Sequence, residues 1–427
     1  MREAAAGHGL ACATVNESTT PPSLLTPLRS PGFSALWVAN GLSLMAFWMT
    51  EVVCAWQMRV MTDADPLLVA SVYTALQLPI VLLVIPAGVL TDLADRRRVM
   101  VWTHVWLALS LGLLLMLTLS GLMSPLLLLT FLPLVAMGQA LRMPGVATLI
   151  PDLVETQQIP AAVSLNSMAQ TSSRILGPAL AGLLIAALGV STVLAVNTVL
   201  MVLIVLLFLQ LRYRPARELP DNIRQEFVGA VKEGLMFAAI TRWKRNILIR
   251  LGSFFACSAA VPALMAVRFS DSQTYGLMYA CFGVGSLLGL VLISRLGHQR
   301  LNNRLSMGLF ICALGMMMFG VSDSPAQSGP LLAVIGASWM FCSNSIMVAA
   351  QLQLDHALRG RGLSLVFAVG TACLAGGGLL WGAVARTAGT AVALTASGLC
   401  LLLLLALTHR LSIAAPSPQA AASAGNG

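Results

Sequence analysis

Twelve apolar stretches, each about as long as a helix that crosses a bilayer, occupy most of this 427-residue chain. A spanning helix needs about 20 apolar residues. Breaks at charged or Pro/Gly-rich points put the stretches near residues 33–58, 67–90, 99–120, 125–147, 160–188, 191–211, 247–268, 274–295, 305–321, 329–353, 363–385 and 389–408. Lipid offers no water to backbone groups, so each stretch must be helical. Only 10% of the residues are charged, against about 25% in a soluble domain. The expected fold class is an all-α membrane protein with 12 transmembrane helices.

A net charge of +9 suggests nucleic acid until its distribution is read. If the N-terminus is cytoplasmic, 20 of the 25 Lys and Arg residues fall on that same side. They lie in the N-terminal tail, at Arg96–Arg98, between Arg212 and Arg250, at Arg295, Arg300 and Arg304, at Arg359 and Arg361, and at Arg410. That is the positive-inside asymmetry of membrane proteins. It puts both termini in the cytoplasm and makes the basicity topological, so no nucleic-acid partner is expected.

The organisation expected is a flexible cytoplasmic tail over residues 1–30, a six-helix bundle over 31–211, a cytoplasmic linker over 212–246, a second six-helix bundle over 247–410 and a flexible tail over 411–427. Within the linker, Glu226 to Phe237 has apolar residues at helical spacing with charges between, as an amphipathic surface helix does. Seven of the eight cysteines fall one per span, with no CxxC or Cys/His spacing. They read as packing residues, and neither metal nor cofactor is expected. Nothing outside the lipid resembles a nucleophile–base pair or a nucleotide loop, so the chain is not read as an enzyme.

Of the 16 acidic residues, Glu51 alone lies well inside a span. An ionised carboxylate there costs at least about several kcal/mol, so it faces a cavity, pairs with a cation or stays protonated. Coupling or substrate binding is one reading, and a structural ion pair is the other. Its candidate partners are Arg174, near the middle of the fifth span, and Arg142, nearer the inner end of the fourth. Gln57 and Gln139 are further polar candidates for the same cavity, although each could equally make an interhelical hydrogen bond.

The loop Gly88-Val-Leu-Thr-Asp92-Leu-Ala-Asp95-Arg96-Arg97-Arg98 forms a short charged hinge between the second and third spans. It resembles the corresponding loop of major facilitator superfamily transporters, Gly-x-x-x-Asp-Arg-x-Gly-Arg-Arg. Gly88, Asp92, Arg96 and Arg97 match it, while Leu93 and Asp95 depart. In the fifth span, Gly177-Pro178-Ala-Leu-Ala181-Gly182 is similar to the Gly-Pro-x-x-Gly-Gly signature of superfamily antiporters. Over 142–200 the chain resembles the drug:proton antiporter-3 branch, the transmembrane secretion effectors, which include macrolide efflux proteins and the enterobactin exporter. Pro151, Leu153, Val154, Ala162, Leu165, Asn166 and Ser167 carry that likeness, with Gly177, Pro178 and Gly182. Arg359-Gly360-Arg361 resembles the same branch at the cytoplasmic start of the eleventh helix.

The resemblance implies a multi-pass protein of the bacterial inner (cytoplasmic) membrane that exports a small amphipathic molecule, a drug or a siderophore, by alternating access driven by protons. The expected partners are the substrate, protons and the lipid bilayer, and a monomer is expected. The readings kept beside it are a non-transporting sensor or anchor and a transporter of one endogenous metabolite without proton coupling.

Overall fold

A computed structural model of the chain describes residues 23–211, 242–295, 301–353 and 359–409, with Leu411. Among the described residues every regular element is helical. The first half comprises α1 (Pro31–Met61), α2 (Pro66–Leu93), α3 (Arg96–Leu119), α4 (Pro125–Leu153), α5 (Ile159–Leu188) and α6 (Val190–Gln210). The second comprises α7 (Arg242–Ser258), α8 (Ala260–Arg268), α9 (Ser272–Arg295), α10 (Leu301–Val321), α11 (Pro325–Gln353), α12 (Arg359–Ala388) and α13 (Thr390–Thr408). Together they provide 12 membrane spans, α7 and α8 forming one span in two pieces. Pro262 has no N–H to return to Ser258, and the helix is interrupted just after that residue, at Ala259.

Local chemistry sets the helix starts. Pro31, Pro66 and Pro125 open their helices, where the missing N–H costs nothing. Ser30, Asp65, Asp95 and Ser124 accept hydrogen bonds from free N–H groups of the first turns. Between α5 and α6, and again between α12 and α13, a single glycine makes the turn, Gly189 with φ +85° and Gly389 with φ +91°. The expected N-terminal tail ends in a docked segment: Thr26–Arg29 form a 3-10 turn and Ser30 Oγ donates to Leu153 O at 2.9 Å. The expected amphipathic helix of the linker lies outside the described residues, and α7 begins at Arg242, inside the segment read as linker.

The two halves repeat one packing scheme. In each, the first span packs on the fifth, the second on the fourth and the third on the sixth. Across the halves the contacts are again matched, α2 with α12 and α5 with α9. Each half also uses an arginine to close the carbonyl end of its sixth span. Arg97 donates to Phe208 O (2.9 Å) and Leu209 O (2.5 Å). Arg250, fully buried, donates twice to Thr408 O and to Asn302 Oδ1. A cation at that end of a helix offsets the partial negative charge of unpaired carbonyls. Leucines such as Leu109, Leu183 and Leu203 are exposed on the outside, as a surface against hydrocarbon requires.

The halves meet mainly at the end away from Arg96–Arg98. Gly182 and Gly276 bring α5 and α9 into backbone contact, where a Cβ on either would collide with the other helix. Gly382 packs on Ala70, and Thr74 Oγ1 donates to Ala375 O at 2.8 Å. Trp56 stacks on Tyr275 with ring centroids 5.8 Å apart. Asp65, the cap of α2, pairs with Arg386 in the last turn of α12 at 3.3 Å. Towards the basic end the polar residues Ser167 and Gln170 of α5 are exposed. They share a helix face with Arg174, so an open polar stripe leads inward from that end.

The Asp65–Arg386 pair is partly exposed and is worth at most about 1 kcal/mol. Arg386→Ala is therefore expected to raise opening of the far end by up to about fivefold. Thiol labelling of an Ala70→Cys reporter, buried beneath Gly382, measures this, and an unchanged labelling rate would remove the pair from the closure.

Candidate functional site

Glu51 lies on α1, which packs closely along α5 at the boundary of the halves. Gly177 on α5 lets that happen: a Cβ there would meet Trp48 Cβ at 2.8 Å and Met45 O at 2.9 Å. The close approach brings Glu51 beside Arg174, and the two line one cavity with Trp48, Tyr73, Pro178, Pro262, Tyr279, Phe282 and Trp339. The cavity is tight. The space open to water centres is about 20 Å³, near the minimum for one water molecule.

Glu51 is 3% exposed. Its Oε1 accepts from the Tyr279 hydroxyl at 3.4 Å, a long bond, and its Oε2 has no partner. Arg174 does not form an ion pair with it among the described residues. The guanidinium instead sits over the Trp48 ring, 4.7 Å from its centroid, an arrangement that stabilises a cation through the ring face. Glu51 Oε2 and the Arg174 guanidinium thus face one small space without a hydrogen-bond partner among the described residues.

Arg142, the other candidate partner of Glu51, is held elsewhere. Its Nε donates to Gln139 Oε1 at 2.7 Å and its Nη1 donates to Asn40 Oδ1. Asn40 Nδ2 in turn donates to Asn166 Oδ1 at 2.6 Å. Arg142 is 5% exposed and has no carboxylate partner among the described residues. This chain of amides joins α1, α4 and α5 around a cation, with Gln139 as a structural acceptor. Gln57 lies outside the cavity lining, donating to Thr118 Oγ1 at 3.1 Å.

In the charged loop, Arg96 pairs with Asp152 at 2.5 Å and donates to Thr148 O at 3.0 Å, tying the start of α3 to the end of α4. Arg97 turns to α6, as described above. Gly88 has open space where a Cβ would stand. The side chains of Asp92, Arg359 and Arg361 lie outside the described residues, although α12 does begin at Arg359. Of the antiporter-type motif, Gly177 and Gly182 serve close packing and Pro178 lines the cavity.

The residues not anticipated are aromatic. Three of the chain's four tyrosines, Tyr73, Tyr275 and Tyr279, gather near Glu51, with Tyr275 edge-on to Tyr279 at 5.3 Å. Phenol groups at membrane depth need partners, and their scarcity elsewhere in the chain is the signal that marks them.

Two six-helix bundles around a central charged cavity define a membrane transporter of the major facilitator superfamily. Within it, the chain belongs to the transmembrane secretion effector family, whose profile matches residues 22–425. An uncharacterized MFS-type transporter of Bacillus subtilis, YfiS, is 25% identical over 407 residues, covering 88% of this chain and 92% of its own. Among solved structures, the nucleoside transporter NupG (D323A mutant) superposes with a TM-score of 0.74 at 14% identity, covering 89% of this chain and 99% of its own. A bacterial homolog of the human lysosomal transporter Spinster, inward-facing and unoccupied, gives 0.71 at 14% identity over 90% and 98% of the two chains. These relatives are transporters, not enzymes.

A buried cation held only by amide oxygens depends on each of them, since stranding it costs about 3–5 kcal/mol. Asn40→Leu is expected to lower the melting temperature sharply in detergent, while Asn40→Asp, which supplies a carboxylate, preserves or raises it. Equal losses in the two variants would show that the charge on Arg142 is not what Asn40 serves.

Proposed function

We propose that this chain is a proton-driven antiporter that exports a small amphipathic molecule, a drug or a siderophore, across the bacterial inner membrane. It works as a monomer with both termini in the cytoplasm. The carrying observation is Glu51: a carboxylate in the cavity between the halves, buried and with one oxygen unpartnered. Such a group is a site for a proton or for a substrate donor, and one ligand excludes the other. Exchange follows if the halves rock and offer the site to each membrane face in turn, as repeat-built transporters do. In this conformation the open stripe of α5 faces the basic end and the far end is closed.

The charged loop supports the rocking. Gly88 and Asp92 end α2, while Arg96 and Arg97 anchor α3 to α4 and α6, so the loop joins the end of α2 to an anchored helix start. Arg359, Gly360 and Arg361 start α12 at the equivalent side of the other half. Gly177, Pro178 and Gly182 keep α5 close to both α1 and α9. The family's description as secretion effectors supports export over import.

Acidified inverted vesicles with a pH-quenched dye test this reading against a panel of drugs and siderophores. A compound that collapses the gradient with the wild type and fails with Glu51→Gln carries the proposal. Normal coupling in that variant would remove Glu51 from proton transfer. Asp92→Asn is expected to slow turnover without weakening substrate binding, and an unchanged turnover rate would leave the loop a topological device alone.

A further inference from the structure

The cavity holds two unsatisfied groups of opposite charge. Glu51 Oε2 is buried with no hydrogen-bond partner. Arg174 makes no hydrogen bond or ion pair with a described residue and rests on Trp48. Both line the same space. A carboxylate accepts readily from an ammonium group, and a guanidinium fork matches a carboxylate in pairs of parallel hydrogen bonds. From these complementary vacancies we infer that the substrate is zwitterionic, with an ammonium group for Glu51, a carboxylate for Arg174 and an apolar or aromatic body for the surrounding rings.

A singly charged ligand would leave one charge of the cavity unanswered. A cation bound at Glu51 would face the Arg174 guanidinium with nothing between them. An anion at Arg174 would face the Glu51 carboxylate in the same way. Either leaves one charge at membrane depth repelled and unpartnered, which a low-dielectric site penalises heavily. A zwitterion satisfies both at once. Trp48, Tyr73 and Trp339 give the space aromatic walls for the body.

Room for the ligand comes from the way the walls are divided. Trp48, Tyr73 and Arg174 belong to the first half, Tyr279 and Trp339 to the second. Parting the contact between Ile175 and Gly283 widens the space without unfolding any helix. Protonating Glu51 removes the counter-charge of the ammonium, so proton and ligand exclude each other. The inference rests on the exchange reading above and gives it a chemical reason.

Isothermal titration of the full chain in lipid nanodiscs at neutral pH tests it with three probes of nearly equal size. These are phenylalanyl-phenylalanine, its C-terminal amide (a cation) and its N-acetyl derivative (an anion). The zwitterion should bind about tenfold or more tightly than either of the others, the size expected for one hydrogen-bonded charge. Glu51→Gln should weaken the dipeptide about tenfold and leave the N-acetyl compound bound as tightly as before or more tightly, since the repelling Glu51 carboxylate is gone. Arg174→Gln should do the same while sparing the amide. That crossed pattern cannot arise from misfolding. Equal binding of all three probes, binding of none, or uniform loss in both variants would overturn the inference. If the dye assay instead finds proton release with neutral or singly charged compounds alone, the exporter reading stands and the zwitterion falls. If the crossed pattern appears without proton movement, the zwitterion stands and exchange falls.

Discussion

Charge that cannot reach water has to be answered inside the protein, and the arrangement around α1 follows from that constraint. Three ionisable groups lie deep in the first half, and each is treated differently. Arg142 is satisfied by the side-chain oxygens of Asn40 and Gln139. Arg174 rests on the face of Trp48. Glu51 keeps one oxygen without a partner. An unmet carboxylate at that depth is tolerable only where something can arrive to meet it. The least satisfied group is accordingly the one at the boundary between the halves.

That boundary is built from small residues. Hydrocarbon gives helices no hydrophobic reason to associate, so close backbone approach and polar contacts must hold them. Gly182 against Gly276, Gly382 against Ala70 and the hydroxyl of Thr74 on Ala375 O supply both. All lie towards the end where Asp65 meets Arg386. At the other end, among the described residues, Ser167 and Gln170 of α5 are exposed.

Most of the architecture was legible in the sequence because lipid simplifies the code. Spans read as apolar runs, and the helices extend only a few residues beyond the expected limits, as with Pro31–Met61 against 33–58. Glu51 and Arg174 stood out for their depth, and they do share a cavity. Other features depend on tertiary distance. Arg142 was a candidate partner for Glu51, but nothing in the spacing of α1 and α4 revealed that Asn40 would take it. Pro262 was visible, yet the interruption at Ala259 depends on which hydrogen bonds survive around it. Tyr279, 228 residues from Glu51, could be placed beside it only by the pairing of α5 with α9.

The location of Arg174 has an electrical consequence. A guanidinium does not lose its proton in a protein, so this charge is permanent. When the stripe along α5 is open, the residue sits near the potential of the basic side, and the voltage falls across the closed end. Opening that end and closing the other would leave the charge in place while moving the field past it. Each elementary charge transferred across the full potential is worth about 2.3 kcal/mol per 100 mV. With Glu51 ionised the two charges cancel and the switch is electrically silent. With Glu51 neutral it is not, so membrane voltage would act on one protonation state of the empty carrier and ignore the other.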